Sequence, residues 1–230
     1  MRIIILAAGV GSRLGRPIPK PLTQLADGYT ILERQIRMLQ AHFDGVQIVV
    51  VVGFKKDMIM EAHPNVLFAY NERFGETNTS KSLLRALSQT GDDDVLWMNG
   101  DVVFDASLLE AISRARTRSM SFVAVNHASV GDEEVKYRLG ESGSICELSK
   151  LVVGGEGEAV GVNYVTATDK PSLIQRLDEC ADDDYFERGI ELSIDVDGTQ
   201  WVPVDVAGLC IEVDFESDLA DVNRRLEQHD

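Results

Sequence analysis

Positive charge is scarce in this chain. Twenty-two lysines and arginines stand against 38 aspartates and glutamates over 230 residues, a formal net charge of −16. So acidic a balance argues against nucleic acid or an anionic membrane as a partner, because both repel it. Histidine and cysteine are sparse too. The four histidines (His42, His63, His127, His229) show no H-x-x-x-H spacing, which argues against a zinc centre. The three cysteines (Cys146, Cys180, Cys210) are odd in number, widely separated and free of any C-x-x-C pair, so they read as buried thiols in a reducing compartment. No apolar run nears the roughly 20 residues of a membrane span, and Met1-Arg2 leads straight into a β-branched run, so no secretory leader is expected. These absences together give the expectation of a soluble, cytoplasmic protein.

The little positive charge there is clusters at one place. Ile3-Ile4-Ile5 feeds into Leu6-Ala7-Ala8-Gly9-Val10-Gly11-Ser12-Arg13-Leu14-Gly15, followed by Pro19-Lys20-Pro21-Leu22. Glycines let backbone N–H groups turn toward an anion, and Arg13, Arg16 and Lys20 add cationic side chains, so this loop has the parts to wrap a polyphosphate. A Walker A loop would need a Gly-Lys-Ser/Thr ending, which is absent. A dinucleotide fingerprint would need its third glycine one residue earlier and an acidic end to the next strand, which closes instead on Gly53-Phe54-Lys55.

Size allows a substantial core in a single domain over 1–230. Strands are expected at 2–6, 46–52, 66–69, 95–98 and 121–125, alternating with helices at 31–42, 55–61, 80–88 and 106–115. Unbroken Ile/Val runs of this kind suit parallel strands covered on both faces. Beyond about residue 130 an antiparallel hairpin (135–139 with 144–151), strands at 160–166, 201–204 and 208–211, and helices at 170–180 and 218–227 are expected. The fold class is thus α/β: three α/β/α layers on a mostly parallel, Rossmann-like sheet, with a small antiparallel extension in the second half. The acidic runs 92–94 and 182–184 read as solvated loops.

Three further segments carry chemistry. Met98-Asn99-Gly100-Asp101 ends the fourth strand, the sheet edge where ligands bind in open α/β folds, and offers Asp101 as an exposed oxygen ligand. Residues 71–83 lead into a helix through amides and hydroxyls suited to anions and base edges. Glu212-Val213-Asp214-Phe215-Glu216-Ser217-Asp218 gathers four acids before the last helix.

The first loop resembles the signature L-A-A-G-x-G-(S/T)-R-(L/M)…P-K of nucleotidyltransferases that activate sugar phosphates, phosphocholine and phosphonates. Asn71-Glu72-Arg73-Phe74-Gly75-Glu76-Thr77-Asn78-Thr79-Ser80-Lys81-Ser82-Leu83 looks like the phosphocholine and phosphonate cytidylyltransferase branch. Glu134-Val135-Lys136 with Gly143-Ser144-Ile145-Cys146-Glu147-Leu148-Ser149-Lys150 reproduces a further pattern of that branch, with Leu for Ile. The resemblance implies Mg²⁺-dependent transfer of CMP from CTP to a small phosphorylated or phosphonate acceptor, with release of pyrophosphate. It implies Lys20, Arg13 and Asp101 as catalytic residues and Asp101 and Asp214 as metal ligands. Leu6, Ala7, Ala8, Gly9, Gly11, Ser12, Arg13, Asn78, Thr79, Ser82 and Gly100 would contact the nucleotide. Lys150, Tyr185 and Glu187 would contact the acceptor, the aromatic face and carboxylate suiting a cationic amine. Residues 1–130 would form the nucleotide half and 131–230 the acceptor half. A sugar-1-phosphate or inositol-phosphate nucleotidyltransferase using CTP, UTP or dTTP, a molybdopterin-type guanylyltransferase, and a nucleotide-sensing module without catalysis remain alternatives. Oligomeric state is open, a homodimer included.

Overall fold

A computed structural model describes residues 1–127 and 134–228, apart from the side chain of Ser12. The chain runs β1 (Arg2–Ala7), α1 (Ile31–His42), β2 (Gln47–Val52), α2 (Lys56–Ala62), β3 (Leu67–Tyr70), α3 (Thr79–Leu87), β4 (Val95–Asn99), β5 (Val102–Phe104), α4 (Ala106–Arg116), β6 (Ser121–Asn126), β7 (Lys136–Leu139), β8 (Ile145–Ser149), β9 (Gly157–Val165), α5 (Lys170–Glu179), α6 (Phe186–Asp197), β10 (Trp201–Asp205), β11 (Cys210–Glu212) and α7 (Glu216–Glu227). The main sheet has the order β10-β6-β9-β4-β1-β2-β3, with the β7–β8 hairpin attached through β9; β5 and β11 form a separate antiparallel pair. Pairings among β4, β1, β2 and β3, and between β10 and β6, are parallel. No described helix is long and apolar enough to cross a membrane.

Alternation along β1 explains the three layers. Ile3, Ile5 and Ala7 point into one core with residues of α1, α2 and α4, while Ile4, Leu6 and Ala8 point into another with residues of α3, α5 and α6. Both faces are therefore apolar, which is why the strands read as continuous Ile/Val runs. A third apolar cluster seats α7 against β5 and the segment that follows β11. That cluster fixes 212–216 over the mouth of the sheet.

The α/β/α expectation holds, and the hairpin forms where the Gly140–Gly143 turn places it. Several details differ, among them the short strand β5 (Val102–Phe104), which was not expected. The antiparallel strand β9 lies inside the sheet, between β4 and β6, rather than at its margin. Its Val160–Val165 stretch is buried on both faces, so it has the same hydrophobic signature as a parallel strand. Helix α6 was not expected. Acidic residues and Gly189 interrupt its pattern, and Ile194-Asp195-Val196-Asp197 alternates as a strand would. Gly189 is there for packing, because a Cβ on it would come within 2.6 Å of Leu177 on α5. Finally, the 92–94 run is not merely solvated. Asp93 pairs with Arg2, and Asp94 accepts hydrogen bonds from the Tyr164 hydroxyl (2.6 Å) and the Ala167 amide (2.7 Å). Cys180 and Cys210 are buried as expected, whereas Cys146 is half-exposed.

Candidate functional site

A cleft of about 690 Å³ opens beyond the carboxyl ends of β1 and β4. Two glycines set its floor. Gly11 adopts a left-handed φ of +61°, and a Cβ on it would lie 2.9 Å from Cβ of Lys20. Gly100 donates its amide to the Leu6 carbonyl at 2.8 Å, and a Cβ there would sit 2.8 Å from that same oxygen. The glycine loop is thereby folded against Lys20, and Asp101 is drawn up beside β1. Leu6, Ala7, Gly9, Gly11, Arg13, Lys20, Gly100 and Asp101 all line the cleft. Ala8 and Ser82 line an adjoining recess of about 70 Å³, which shares Leu6, Gly9, Asn78 and Thr79 with it. The side chain of Ser12 lies outside the described residues.

The centre of the cleft is a charge cluster. The Lys20 ammonium lies 2.7 Å from Asp101 Oδ2 and 2.5 Å from Asp214 Oδ1, and Arg13 Nη1 lies 2.9 Å from Asp214 Oδ2. Arg16 clasps Glu216 alongside at 2.8 Å. Burial disfavours the charge on Lys20, but the charges of Asp101 and Asp214 and their hydrogen bonds outweigh it and raise its pKa. Burial likewise opposes ionisation of Asp214, and the hydrogen bond and charge of Lys20, with those of Arg13, override it and lower its pKa. Asp218 accepts from the amides of Asp214 (2.9 Å) and Phe215 (2.6 Å), which fixes the turn carrying Asp214 at the start of α7.

Two carboxylates that converge on one small cation suit a hard divalent metal ion, which takes one or two protein carboxylates plus substrate phosphates and water. Asp101 Oδ1 is buried without a hydrogen-bond partner among the described residues, a free lone-pair site of the required chemistry. Within the described residues no group of three or more His, Cys, Asp or Glu could hold a metal, so any cation here would complete its shell from substrate.

The opposite wall comes from Lys150 just after β8, from β9, from the start of α6 and from β11. The Lys150 ammonium sits 4.7 Å from the centre of the Tyr185 ring, covering the aromatic face expected for a cationic acceptor. Glu187 is buried beneath, its carboxyl pushed up to about 7 by burial, and its Oε2 has no partner among the described residues. Asn78 and Thr79 prove to tie the two walls together. The Asn78 side chain caps α3 and donates to the Asp183 carbonyl at 3.1 Å, and Thr79 Oγ1 accepts from the Phe186 amide at 3.1 Å.

Sequence reasoning gave no role to Asn99, Glu134 or Glu212, all of which line the cleft. Burial, with the nearby Asp101 charge, pushes the Glu212 carboxyl well above the usual carboxylate range, and it accepts from Asn99 Nδ2 at 2.7 Å. Gly161, with φ of +68°, makes room for the pair, since a Cβ on it would lie 2.1 Å from Glu212 Oε1. Glu212 stood in the quoted acidic segment, but nothing in one sequence separates a buried acid from its exposed neighbours.

The sequence profile of the MobA-like NTP transferase domain matches residues 3–184. CMP-5'-(3-aminopropyl)phosphonate synthase of Streptomyces rubellomurinus is 35% identical over 127 residues, which are 50% of this chain and 19% of that protein. The chain therefore spans about a fifth of that relative's length. Among solved structures, CTP:phosphocholine cytidylyltransferase from Streptococcus pneumoniae superposes with a TM-score of 0.78 at 19% identity, over 98% of both chains. The inositol-1-phosphate CTP transferase of T. maritima superposes with a TM-score of 0.79 at 18% identity, over 99% of this chain and 95% of that one. At these identities the two structures speak for the fold.

Proposed function

The chain belongs to the MobA-like NTP transferase domain family, and on that premise we propose that it is a Mg²⁺-dependent cytidylyltransferase. It would transfer CMP from CTP to a small phosphorylated or phosphonate acceptor and release pyrophosphate. The observation that carries this reading is the convergence of Asp101 and Asp214 on the Lys20 ammonium, beside the glycine loop and at the floor of the cleft.

An acceptor oxygen attacks the α-phosphorus in line, the new P–O bond forms, and the bond to the bridging oxygen breaks with loss of pyrophosphate. The acceptor is already an anion, so no general base is needed. The obstacle is repulsion: two unit charges about 4 Å apart at an effective dielectric near 20 repel by about 4 kcal/mol. A magnesium ion held by Asp101 and Asp214 would supply the charge that draws acceptor and triphosphate together. Lys20 moves from the carboxylates to the α-phosphate and stabilises the charge that builds there, while Arg13 holds the β- and γ-phosphates. Gly9 and Gly11 bring backbone N–H groups to the nucleotide, and Asn78, Thr79 and Ser82 lie on its base side. Across the cleft, Lys150 binds the acceptor's phosphate or phosphonate; as it leaves the Tyr185 ring, that face and Glu187 become available to an amine. The two halves, 1–130 and 131–230, thus act as one catalytic unit.

Pyrophosphate release with Mg²⁺ tests the reading. CTP, UTP, dTTP, GTP and ATP are each paired with phosphocholine, 2-aminoethylphosphonate, inositol 1-phosphate and glucose 1-phosphate. Turnover confined to CTP with an amine-bearing acceptor is expected. Turnover with a sugar phosphate and another base would overturn the cytidylyl assignment and keep the nucleotidyl transfer. Nucleotide binding without pyrophosphate release would overturn both.

A further inference from the structure

The recess beside the glycine loop contains a hydrogen-bond network with a fixed direction. Asn71 is 4% exposed and lies under the turn that leads into α3. Its Oδ1 accepts from the Arg73 backbone amide at 3.1 Å. A backbone N–H can only donate, so this contact settles which end of the amide is oxygen. The Nδ2 group therefore points the other way and donates to both Thr77 Oγ1 (3.0 Å) and Ser82 Oγ (3.0 Å).

Each hydroxyl is left with a defined remainder. Thr77 gives its proton to the Arg73 carbonyl at 2.9 Å and receives one from Asn71, so toward the recess it can only accept. Ser82 is 6% exposed, receives from Asn71, and has no acceptor for its own proton among the described residues. Both residues line the recess, where Phe74 and Ala8 bound the space. Gly53 allows that enclosure, because a Cβ on it would lie 2.5 Å from Cβ of Phe74 and 2.6 Å from the Ala8 carbonyl oxygen.

We propose that Asn71 is a positioning residue that sets the base specificity of the nucleotide site, by making Ser82 a donor and Thr77 an acceptor toward the edge of a cytosine ring. This rests on the reading of the cleft as a nucleotidyltransferase site. Cytosine presents an acceptor at N3 and a donor at its 4-amino group, which matches the pair. Uracil and thymine present N3–H and a 4-oxo group. Against them the Ser82 proton stays unpaired and the Thr77 lone pair meets another acceptor. Adenine carries the same amino–imino pair on a larger, fused ring, and a recess of about 70 Å³ closed by Phe74 has room for the edge of a single ring.

The test is the ratio of CTP to UTP affinity, measured by calorimetric titration of the full chain with each nucleotide. A structural role alone would change both affinities together and leave the ratio intact. The wild-type protein should favour CTP over UTP by about 10-fold or more, and over ATP as well. Asn71→Asp turns both Nδ2 donors into acceptors, so Ser82 must turn its proton away from the base; the CTP preference should fall about 10-fold or more. Ser82→Ala deletes the donor and leaves Asn71 in place, and should lower the ratio even if Asn71→Asp fails to fold. A wild-type preference for CTP that either Ser82→Ala or a folded Asn71→Asp retains would overturn the proposal while leaving the cytidylyltransferase reading intact. A wild-type protein that binds UTP or ATP as well as CTP would overturn both.

Discussion

On the proposed reading, the two walls of the cleft would recognise a nucleotide and an acceptor by different physics. The nucleotide wall comes from two short stretches, 6–20 and 71–82, and works through backbone direction, hydroxyls and cations whose charge is matched by Asp101, Asp214 and Glu216. The acceptor wall draws on β9, α6, β11 and Lys150, and its carboxyls at the buried Glu187 and the half-buried Glu212 are held toward their neutral forms. Phosphate recognition is the same whatever the acceptor, so it can be fixed in a contiguous loop. Acceptor recognition would rest on a few scattered ionisable side chains whose neighbours in sequence look ordinary.

If the shared centre between the walls is where reaction occurs, its removal has the largest effect. Asp101→Asn should lower Mg²⁺-dependent pyrophosphate release by about 10³-fold or more, with an unchanged circular dichroism spectrum; a variant that turns over normally removes Asp101 from the reaction. Lys20→Ala, which takes one charge from the nucleotide wall, should cost at least about 10²-fold in kcat. Near-normal turnover in that variant would contradict the assignment.

The acceptor wall is probed by pH and stability. Burial first, against the weaker pull of Lys150 and with a push from Glu191, holds the Glu187 carboxyl at about 7 where 4.5 is ordinary. The unfolded chain therefore loses this proton before the folded one does, and stability declines as pH rises from about 4.5 to 7. Glu187→Gln should match the wild type near pH 4 and exceed it by up to about 3 kcal/mol at pH 8 in urea denaturation. Parallel pH curves for the two proteins would show that Glu187 ionises normally. The smallest effect is expected at Lys150. Lys150→Ala should raise the KM for the acceptor about 10-fold and leave the KM for CTP close to wild type. An equal rise in both would mean that the walls are not separate.

The same contrast explains what the sequence disclosed. The glycine loop, Asp101 and the 71–83 segment are local, with geometry fixed by glycine and by strand ends, so short stretches of sequence carry both their pattern and the resemblance that names their residues. Helix α1 was expected at its observed bounds, and in the structure Thr30 caps its start. Helix α6 was hidden by Gly189, whose reason for being there lies on α5; β9 was expected as a strand at 160–166, but its antiparallel run inside the sheet was hidden because burial on both faces erases strand direction from the pattern. Asp214 could be named from a resemblance, but its ion pair with Lys20 joins residues 194 positions apart and is visible only in the folded chain. Glu212, Asn99 and Gly161 meet only when three distant segments pack together.

On the proposed reading, this cleft breaks the bond between the α- and β-phosphates of CTP. The direct measurement follows two labels, one on the α- and one on the γ-phosphate, in a reaction with Mg²⁺ and 2-aminoethylphosphonate or phosphocholine. The α-label is expected in an acceptor adduct and the γ-label in pyrophosphate, both lost in Asp101→Asn. Release of the γ-label as single phosphate, with the α-label remaining in CDP, would contradict that reading.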